Sequence, residues 1–347
     1  MWGRGRLLGG RYNRRMDRAL TISVGIPAFN QGGYLEETIV SLLEQTRPPD
    51  EIVVSDQYST DQTPDIIAKY GKQVRGVKPP PGVNLAGQYH FTLASQTSDW
   101  ITLLSSDDVA APNFCEVLER GARRRDDAVL VRAGWWNMDA AGNRLSKEYL
   151  FTAKPVTLPP ETLLEQREGP RASFAAFAVS REAYAKSGPI LETLESLADW
   201  ALFLQLAPFG SFIYESELIS YYRIAEGPDK FRQRVGMWVR DEQRIFGDVL
   251  PLAAQRLNMA DTAWIGVQSR KNFRRYIASA SERYAPEERG EIAPLFRDWA
   301  ESTGSEKLLE TFAAGGAIAQ EGGVVKRMKD AIRPTARKVR AHFQRGS

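Results

Sequence analysis

The chain has 347 residues, enough for one large domain or two, and its 43% hydrophobic and 26% charged content is that of a soluble globular protein. Its single cysteine, Cys115, excludes an internal disulfide and fits a reducing, cytoplasmic compartment, and with His90 and His342 the only histidines a histidine-rich metal site is excluded. Net charge is only +3, yet six arginines fall within residues 1–18 and eight lysines and arginines within 324–347, so the ends suit an anionic surface or are solvated tails.

No apolar run approaches the ~18–20 residues needed to cross a bilayer, and the first twenty residues have no long apolar core, so no secretory signal is expected. In chain order, Leu20 to Ile26 reads as a buried strand and Pro27 to Gly33 as a turn. The turn's backbone N–H groups are candidates for holding a phosphate, although it has neither the Walker lysine nor the three-glycine dinucleotide pattern. Tyr34 to Gln45 has helical spacing, and Glu51 to Ser55 is a second strand ending at Asp56. Ser59, Thr60 and Asp61 offer caps for a helix starting near Pro64. Strand, helix, strand with short links is a βαβ unit and implies a parallel sheet. Asn84 to Ser95 predicts a helix in which His90 is structural.

Ile101 to Leu104 predicts a short buried strand that delivers Ser105, Ser106, Asp107 and Asp108 to its carboxyl end, where open α/β sheets bind ligands. Two adjacent carboxylates there suit a divalent cation carrying a diphosphate; the alternative is an Asp-Asp turn that caps the next helix. Asn113 to Arg125 is that helix, with Cys115 a small core residue, and Ala128 to Arg132 is a further strand. Trp135 and Trp136 are expected in a loop, as a sugar-stacking platform or as packing beneath it. Asp139 to Asn143 is a hairpin turn, and Ala201 to Ala207 an apolar helix preceded by Asp199 and Trp200. Beyond Pro228, Phe231–Phe246, Pro251–Met259, Ala263–Tyr284 and Pro286–Trp299 read as amphipathic helices, which wrap the preceding domain or form a homo-oligomer surface. Gly322 to Phe343 mixes apolar residues with the basic cluster, a pattern that suits an anionic membrane.

The ordered set Ile22-Ser-Val-Gly-Ile-Pro-Ala-Phe-Asn30, Tyr34-Leu-Glu-Glu37, Ser41 to Thr46, Pro49 to Asp56, Ser59-Thr-Asp61 and the Asp107–Asp108 pair resembles the family 2 glycosyltransferases of GT-A fold, over residues 20–225. The resemblance implies an α/β fold: a Rossmann-like, mostly parallel sheet flanked by helices, with a C-terminal helical extension. It divides the chain into a basic tail (1–19), a GT-A domain (20–228), a helical extension (229–321) and a basic amphipathic segment (322–347).

By the same resemblance, Pro27, Ala28, Asn30, Asp56, Ser106, Asp107 and Arg223 bind the nucleotide. Asp107 and Asp108 hold a divalent metal, Mn²⁺ or Mg²⁺. Trp135, Ser173 and Trp200 face the acceptor, and Asp199 is the catalytic base. The chain departs from the family where Ser105 stands for the first acid of Asp-x-Asp, Ala198 for the acid before the base, and Ala225 for the closing histidine of Tyr-Arg-x-His. The expected partners are a nucleotide-diphosphate sugar, UDP-linked by preference, a glycan or lipid-linked acceptor, and an anionic membrane inner face, with no nucleic acid. The expected activity is an inverting sugar transfer in surface-polysaccharide assembly. A sugar nucleotidyltransferase and a catalytically degenerate glycan-binding scaffold are the alternatives.

Overall fold

A computed structural model describes residues 19–148, 154–170, 173–224 and 230–318. The expected tails, Arg171 and Ala225 lie outside these residues. The first unit runs β1 (Ile22–Ala28), α1 (Leu35–Leu43), β2 (Glu51–Asp56), α2 (Thr63–Lys69), β3 (Arg75–Val77), α3 (Leu85–Ala94) and β4 (Trp100–Leu103). It continues through β5 (Val109–Ala110), α4 (Phe114–Ala122), β6 (Ala128–Met138), β7 (Arg144–Glu148), β8 (Val156–Thr157) and α5 (Glu161–Leu164). Then come β9 (Phe177–Ser180), α6 (Arg181–Ser187), α7 (Ala198–Leu206) and β10 (Ser211–Arg223).

The sheet has the order β3-β2-β1-β4-β9-β6-β10-β5, with β7 on β6 and β8 on β10. Strands β3, β2, β1 and β4 are parallel; β9 is antiparallel to both β4 and β6, and β10 is parallel to β6. The reversal at β9 therefore leaves the carboxyl ends of β1, β2, β4, β6 and β10 on one edge. Every residue of β1 is buried, as its continuous apolar run requires of a strand covered on both faces. On one face α1, α2 and α4 pack against Val24, Ile26, Val54 and Val131; on the other α3, α6 and α7 pack against Ile101, Leu103, Leu130 and Phe177. Helix α3 crosses β1 so closely that a Cβ at Gly25 would lie 2.6 Å from Gln96 Nε2 and 2.7 Å from Thr92 Cγ2, so only glycine fits there.

Trp135 and Trp136 are not in a loop. They belong to β6, which runs eleven residues because its end is paired on both sides, with β7 and β10. Helix α8 (Lys230–Arg244) is likewise not separated from the next: a π turn, Ile245–Val249, joins it to α9 (Leu250–Arg256). Pro251 has no N–H for the carbonyl one turn back, and the wider turn lies where the regular bond would fail. After α10 (Ala263–Arg283), short helices α11 (Arg289–Ile292), α12 (Arg297–Thr303) and α13 (Glu306–Ala313) complete the fold. Val235, Val239, Phe273, Phe296, Trp299 and Phe312 form a separate core there, while Ile245, Phe246 and Leu250 join the core around α7. Among the described residues no helix is long and apolar enough to cross a membrane.

Candidate active site

The nucleotide-side residues meet where β1 and β2 end. Ala28 is in register with Asp56, and the buried amide of Gln88 on α3 donates to the carbonyls of Ala28 at 3.0 Å and Ser55 at 3.2 Å. Asn30, at φ 51°, accepts from the Thr60 N–H through Oδ1 at 2.9 Å, and its own N–H donates to Ser59 Oγ at 2.9 Å. Asp56 is 3% exposed and accepts from the Ser59 N–H at 2.9 Å. Asp56 thus fixes its own loop three residues on, and Asn30 ties that loop to the one after β1.

The turn after β1 is not an open anion cradle. The N–H of Gln31 donates to Thr63 Oγ1 at 3.0 Å and that of Gly32 to Asp61 Oδ2 at 2.8 Å, so the groups expected to meet a phosphate are spent on side chains. The sequence reading missed two aromatics at this edge, Phe29 at 55% and Tyr58 at 45% exposure. Tyr58, at φ 58°, donates its hydroxyl to the Pro79 carbonyl at 3.1 Å and carries Lys78 Nζ over one ring face, 5.4 Å from the centroid. Pro27 and Ala28 are buried in β1 and shape the floor.

The acidic loop after β4 is held from two directions. Thr38 Oγ1 on α1 lies 2.7 Å from the Asp108 carbonyl and 3.0 Å from that of Ser106. Ser106 is buried and Asp107 half-buried. Asp108 departs from expectation: it is 0% exposed, and its Oδ1 accepts from the Arg223 N–H at 2.8 Å. Burial, reinforced by the charge of Asp107, pushes the Asp108 carboxyl well above the usual range, against the Arg223 contacts that lower it. Asp108 thus anchors β10 through Oδ1, while its buried Oδ2 is left without a hydrogen-bond partner.

Arg223 is also corrected. Its guanidinium donates to the carbonyls of Asp107 at 2.7 Å, Asp139 at 3.2 Å and Ala140 at 3.0 Å, and to Glu37 at 2.7 Å, with Tyr34 beneath it at 4.6 Å. A cation with four oxygen partners and 6% exposure is a strut between loops, not a hand for a diphosphate. Arg234 on α8 is exposed, and its charge acts on Tyr222 against the upward shift that burial causes.

Asp199 lies in the first turn of α7, half-buried, with Oδ1 accepting from the Trp200 N–H at 2.7 Å. Burial raises its carboxyl to about 6, with the charge of Asp241 adding to the rise and the Trp200 N–H opposing it. Two tyrosines connect it to the acidic loop. Burial raises the hydroxyls of Tyr89 on α3 and Tyr222 on β10, and in both cases the charges of Asp199, Asp107 and Asp108 add to the effect. The two half-buried tyrosines thus lie between the acidic loop and the start of α7.

The acceptor-side expectations divide. Ser173 is half-buried in the turn before β9, beside Phe174, whose ring meets Tyr89 edge-on at 5.1 Å. Trp200 is 0% exposed, its indole N–H donates to the Gln166 carbonyl at 2.9 Å, and Phe246 closes over it; it is core and cannot face an acceptor. Trp135 is half-buried, paired opposite Glu148, and packs with the core on the α1 and α4 face, the far side of the sheet from α7.

Cys115 is fully buried, which pushes its thiol up to about 12, and His90 bonds Tyr184, so both are structural. A cavity of about 460 Å³ lined by Trp100, Arg123, Arg125 and Arg181 lies at the opposite edge, where β4 and β6 begin, and touches none of the acids above. Among the described residues no three or more acids, histidines or cysteines gather to hold a metal.

Residues 23–188 match the family model described as Glycosyl transferase family 2. The glycosyltransferase GlyG of Streptococcus pneumoniae is 29% identical over 121 residues, 34% of this chain and 40% of that protein. The hyaluronan synthase of Pasteurella multocida is 23% identical over 224 residues, 64% of this chain and 22% of that one. The chain spans less than half the length of these curated relatives. Among solved structures, residues 1–349 of S. aureus TarS in complex with UDP share the fold with a TM-score of 0.57 at 16% identity, over 85% of this chain and 88% of that one. The sheet order, the acids at its carboxyl edge and the family match agree: residues 23–188 form a family 2 glycosyltransferase domain on a GT-A-type sheet.

Proposed function

We propose that the chain transfers a sugar, with inversion, from a nucleotide-diphosphate sugar to a hydroxyl of a glycan or glycolipid in polysaccharide assembly. The observation that carries this reading is the shared sheet edge: Asp107 follows the carboxyl end of β4, and α7, which ends shortly before β10 begins, starts with Asp199 towards the carboxyl ends of the strands. A UDP-linked donor is favoured because the TarS fragment is described in complex with UDP and, in another crystal, with UDP-GlcNAc. Polysaccharide assembly is favoured by the hyaluronan and chondroitin synthases of Pasteurella multocida among the relatives.

In this reading Asp56 accepts from the base or ribose and Tyr58 or Phe29 stacks on the base. Asp199, with a proton affinity near neutrality, is mostly ionised at pH 7 and takes the proton of the acceptor hydroxyl as that oxygen attacks the anomeric carbon. The bond to the diphosphate breaks from the opposite face, and no covalent sugar intermediate is needed. One half-buried carboxylate at a loop suits a hard cation that takes its other ligands from phosphate and water, so Asp107 is the residue that would hold Mg²⁺ or Mn²⁺. Such a cation would offset charge on the leaving diphosphate.

The test is a panel of UDP-, GDP- and dTDP-sugars assayed for released nucleoside diphosphate. Release from at least one donor, lost in Asp199→Asn, is the expected result. Formation of nucleoside triphosphate and sugar 1-phosphate only when pyrophosphate is added would instead identify a nucleotidyltransferase, and binding without any product a glycan-binding scaffold.

A further inference from the structure

Leu197, the residue before α7, has no side chain able to cap a helix, and within the first turn only Asp199 accepts, from the Trp200 N–H. The segment that leads into the helix is held from elsewhere. Asp241, on α8 and 0% exposed, accepts from the N–H groups of Glu195 at 3.0 and 3.2 Å, Ser196 at 2.7 Å and Leu197 at 2.8 Å. Three consecutive backbone donors converge on one carboxylate. The preceding residue, Arg240, holds the Glu195 carboxylate at 2.7 and 2.8 Å. Two neighbouring side chains of the helical extension therefore grip the segment that ends two residues before Asp199. An anion at this place also meets the positive end of α7.

We propose that Asp241 is a positioning residue for transfer: a carboxylate of the helical extension that fixes residues 195–197 and thereby the direction of Asp199. This rests on Asp199 being the base, and it makes the extension part of the catalytic apparatus rather than an appendage.

The charges around Asp241 are known from each side. Glu195 faces it from the α7 segment, Arg240 and Glu242 flank it on α8, and Tyr276 and Arg275 approach from α10, where Arg275 lies 3.8 Å from Glu242. Burial raises the Asp241 carboxyl in spite of its three N–H bonds, with Glu195 adding to the rise. Its negative charge in turn raises that of Asp199. Removing the charge and loosening the loop both act in one direction, making Asp199 easier to ionise.

The experiment compares the full chain with Asp241→Asn and Arg240→Ala. Amide hydrogen exchange over 195–199 is read by mass spectrometry and the Asp199 carboxyl by ¹³C NMR titration. In Asp241→Asn, exchange of these amides should rise at least tenfold and the Asp199 midpoint should fall below its wild-type value. Donor turnover should drop about tenfold in kcat while UDP affinity, measured by calorimetry, stays within twofold. Arg240→Ala, which spares the buried carboxylate, should give a smaller rise in exchange, strongest at Glu195, and serves if Asp241→Asn does not fold. Unchanged exchange and an unmoved Asp199 midpoint in Asp241→Asn, or unchanged exchange in Arg240→Ala if it alone folds, would overturn the proposal. If the unsubstituted chain turns over no donor, the transfer reading fails instead, and loosened amides in the variants would then mark a purely structural cap.

Discussion

Replacing Asp199 with asparagine separates what the carboxylate does for chemistry from what it costs the fold. Asparagine keeps the size and the oxygen that accepts from the Trp200 N–H at 2.7 Å, but it cannot take a proton. If Asp199 is the base, turnover should fall by about 10²–10⁴-fold, the usual worth of a positioned base. The carboxyl titrates near 6 in the folded protein against 3.8 for an ordinary aspartate. The wild-type rate should therefore be nearly full at pH 7.5 and about tenfold lower at pH 5, with a slope of one on the acid side.

The same shift has a stability consequence of definite sign. A carboxyl raised on folding binds its proton more tightly in the native than in the unfolded chain, so the native state gains stability as pH falls from above 6 towards 4. Above pH 6 the ionised, partly desolvated carboxylate costs the fold at most about 3 kcal/mol, two pKa units' worth, and about 1–2 kcal/mol once water at its half-exposed face is allowed for. Asp199→Asn should thus melt a few degrees higher than wild type at pH 7.5 and at the same temperature near pH 4. Nucleoside diphosphate release across pH 5–8 and scanning calorimetry at the two pH values read both effects. An asparagine variant with wild-type turnover, or a rate flat between pH 5 and 7, would refute the assignment of Asp199 as base.

Tyr58→Ala should weaken UDP binding about tenfold, the worth of one ring stacked on a base, without a change in melting temperature; equal calorimetric affinity would remove Tyr58 from the site. Arg223→Met strands three carbonyls and should cost about 2–4 kcal/mol in urea unfolding, with UDP affinity of the folded fraction reduced much less. Trp200→Phe deprives the buried Gln166 carbonyl of its donor and leaves a small void, costing about 2–4 kcal/mol, while the KM for acceptor stays unchanged in the folded enzyme. Chelation with EDTA, or Asp107→Ala, should abolish any strengthening of UDP binding by Mn²⁺ and leave the melting temperature of the unliganded chain in place; a Mn²⁺ increment surviving Asp107→Ala would clear Asp107 of the role.

The β1-α1-β2 unit was legible because its signals are local: apolar strands of six or seven residues, a period of 3.6 between them, and acids where the strands stop. What was not legible depends on where chains cross. Arg223 at a strand end reads as a ligand-facing cation, and only the convergence of the loops after β4 and β6 reveals that its donors are already taken. Asp108 and Asp107 are indistinguishable in sequence, but their strand-loop geometry turns one inward and leaves the other half-exposed. Trp200 was expected on the acceptor side, yet the position after Asp199 on a helix points about 100° away, here into the core. Thr38, Gln88 and Tyr89 had no signal beyond being polar residues on otherwise apolar helices, a pattern that marks a buried contact without naming its partner. Asp241 lay in an extension read only for its amphipathic period, and its partners are more than forty residues away.

The three acids that matter differ by surroundings rather than by chemistry, and this bears on the missing first acid at Ser105. In a loop organised by its metal, losing a ligand would unsettle the backbone. Here the backbone of Ser106 and Asp108 is fixed by Thr38, the Asp108 carboxylate by the Arg223 N–H, and the Asp107 carbonyl by the Arg223 guanidinium. The loop keeps its shape through hydrogen bonds to the protein, so Asp107 is presented in the cleft whether or not a second carboxylate helps it. If Asp107 holds a cation, serine at 105 costs affinity for it and not architecture, and the chelation experiment should then move nucleotide binding and leave melting where it was.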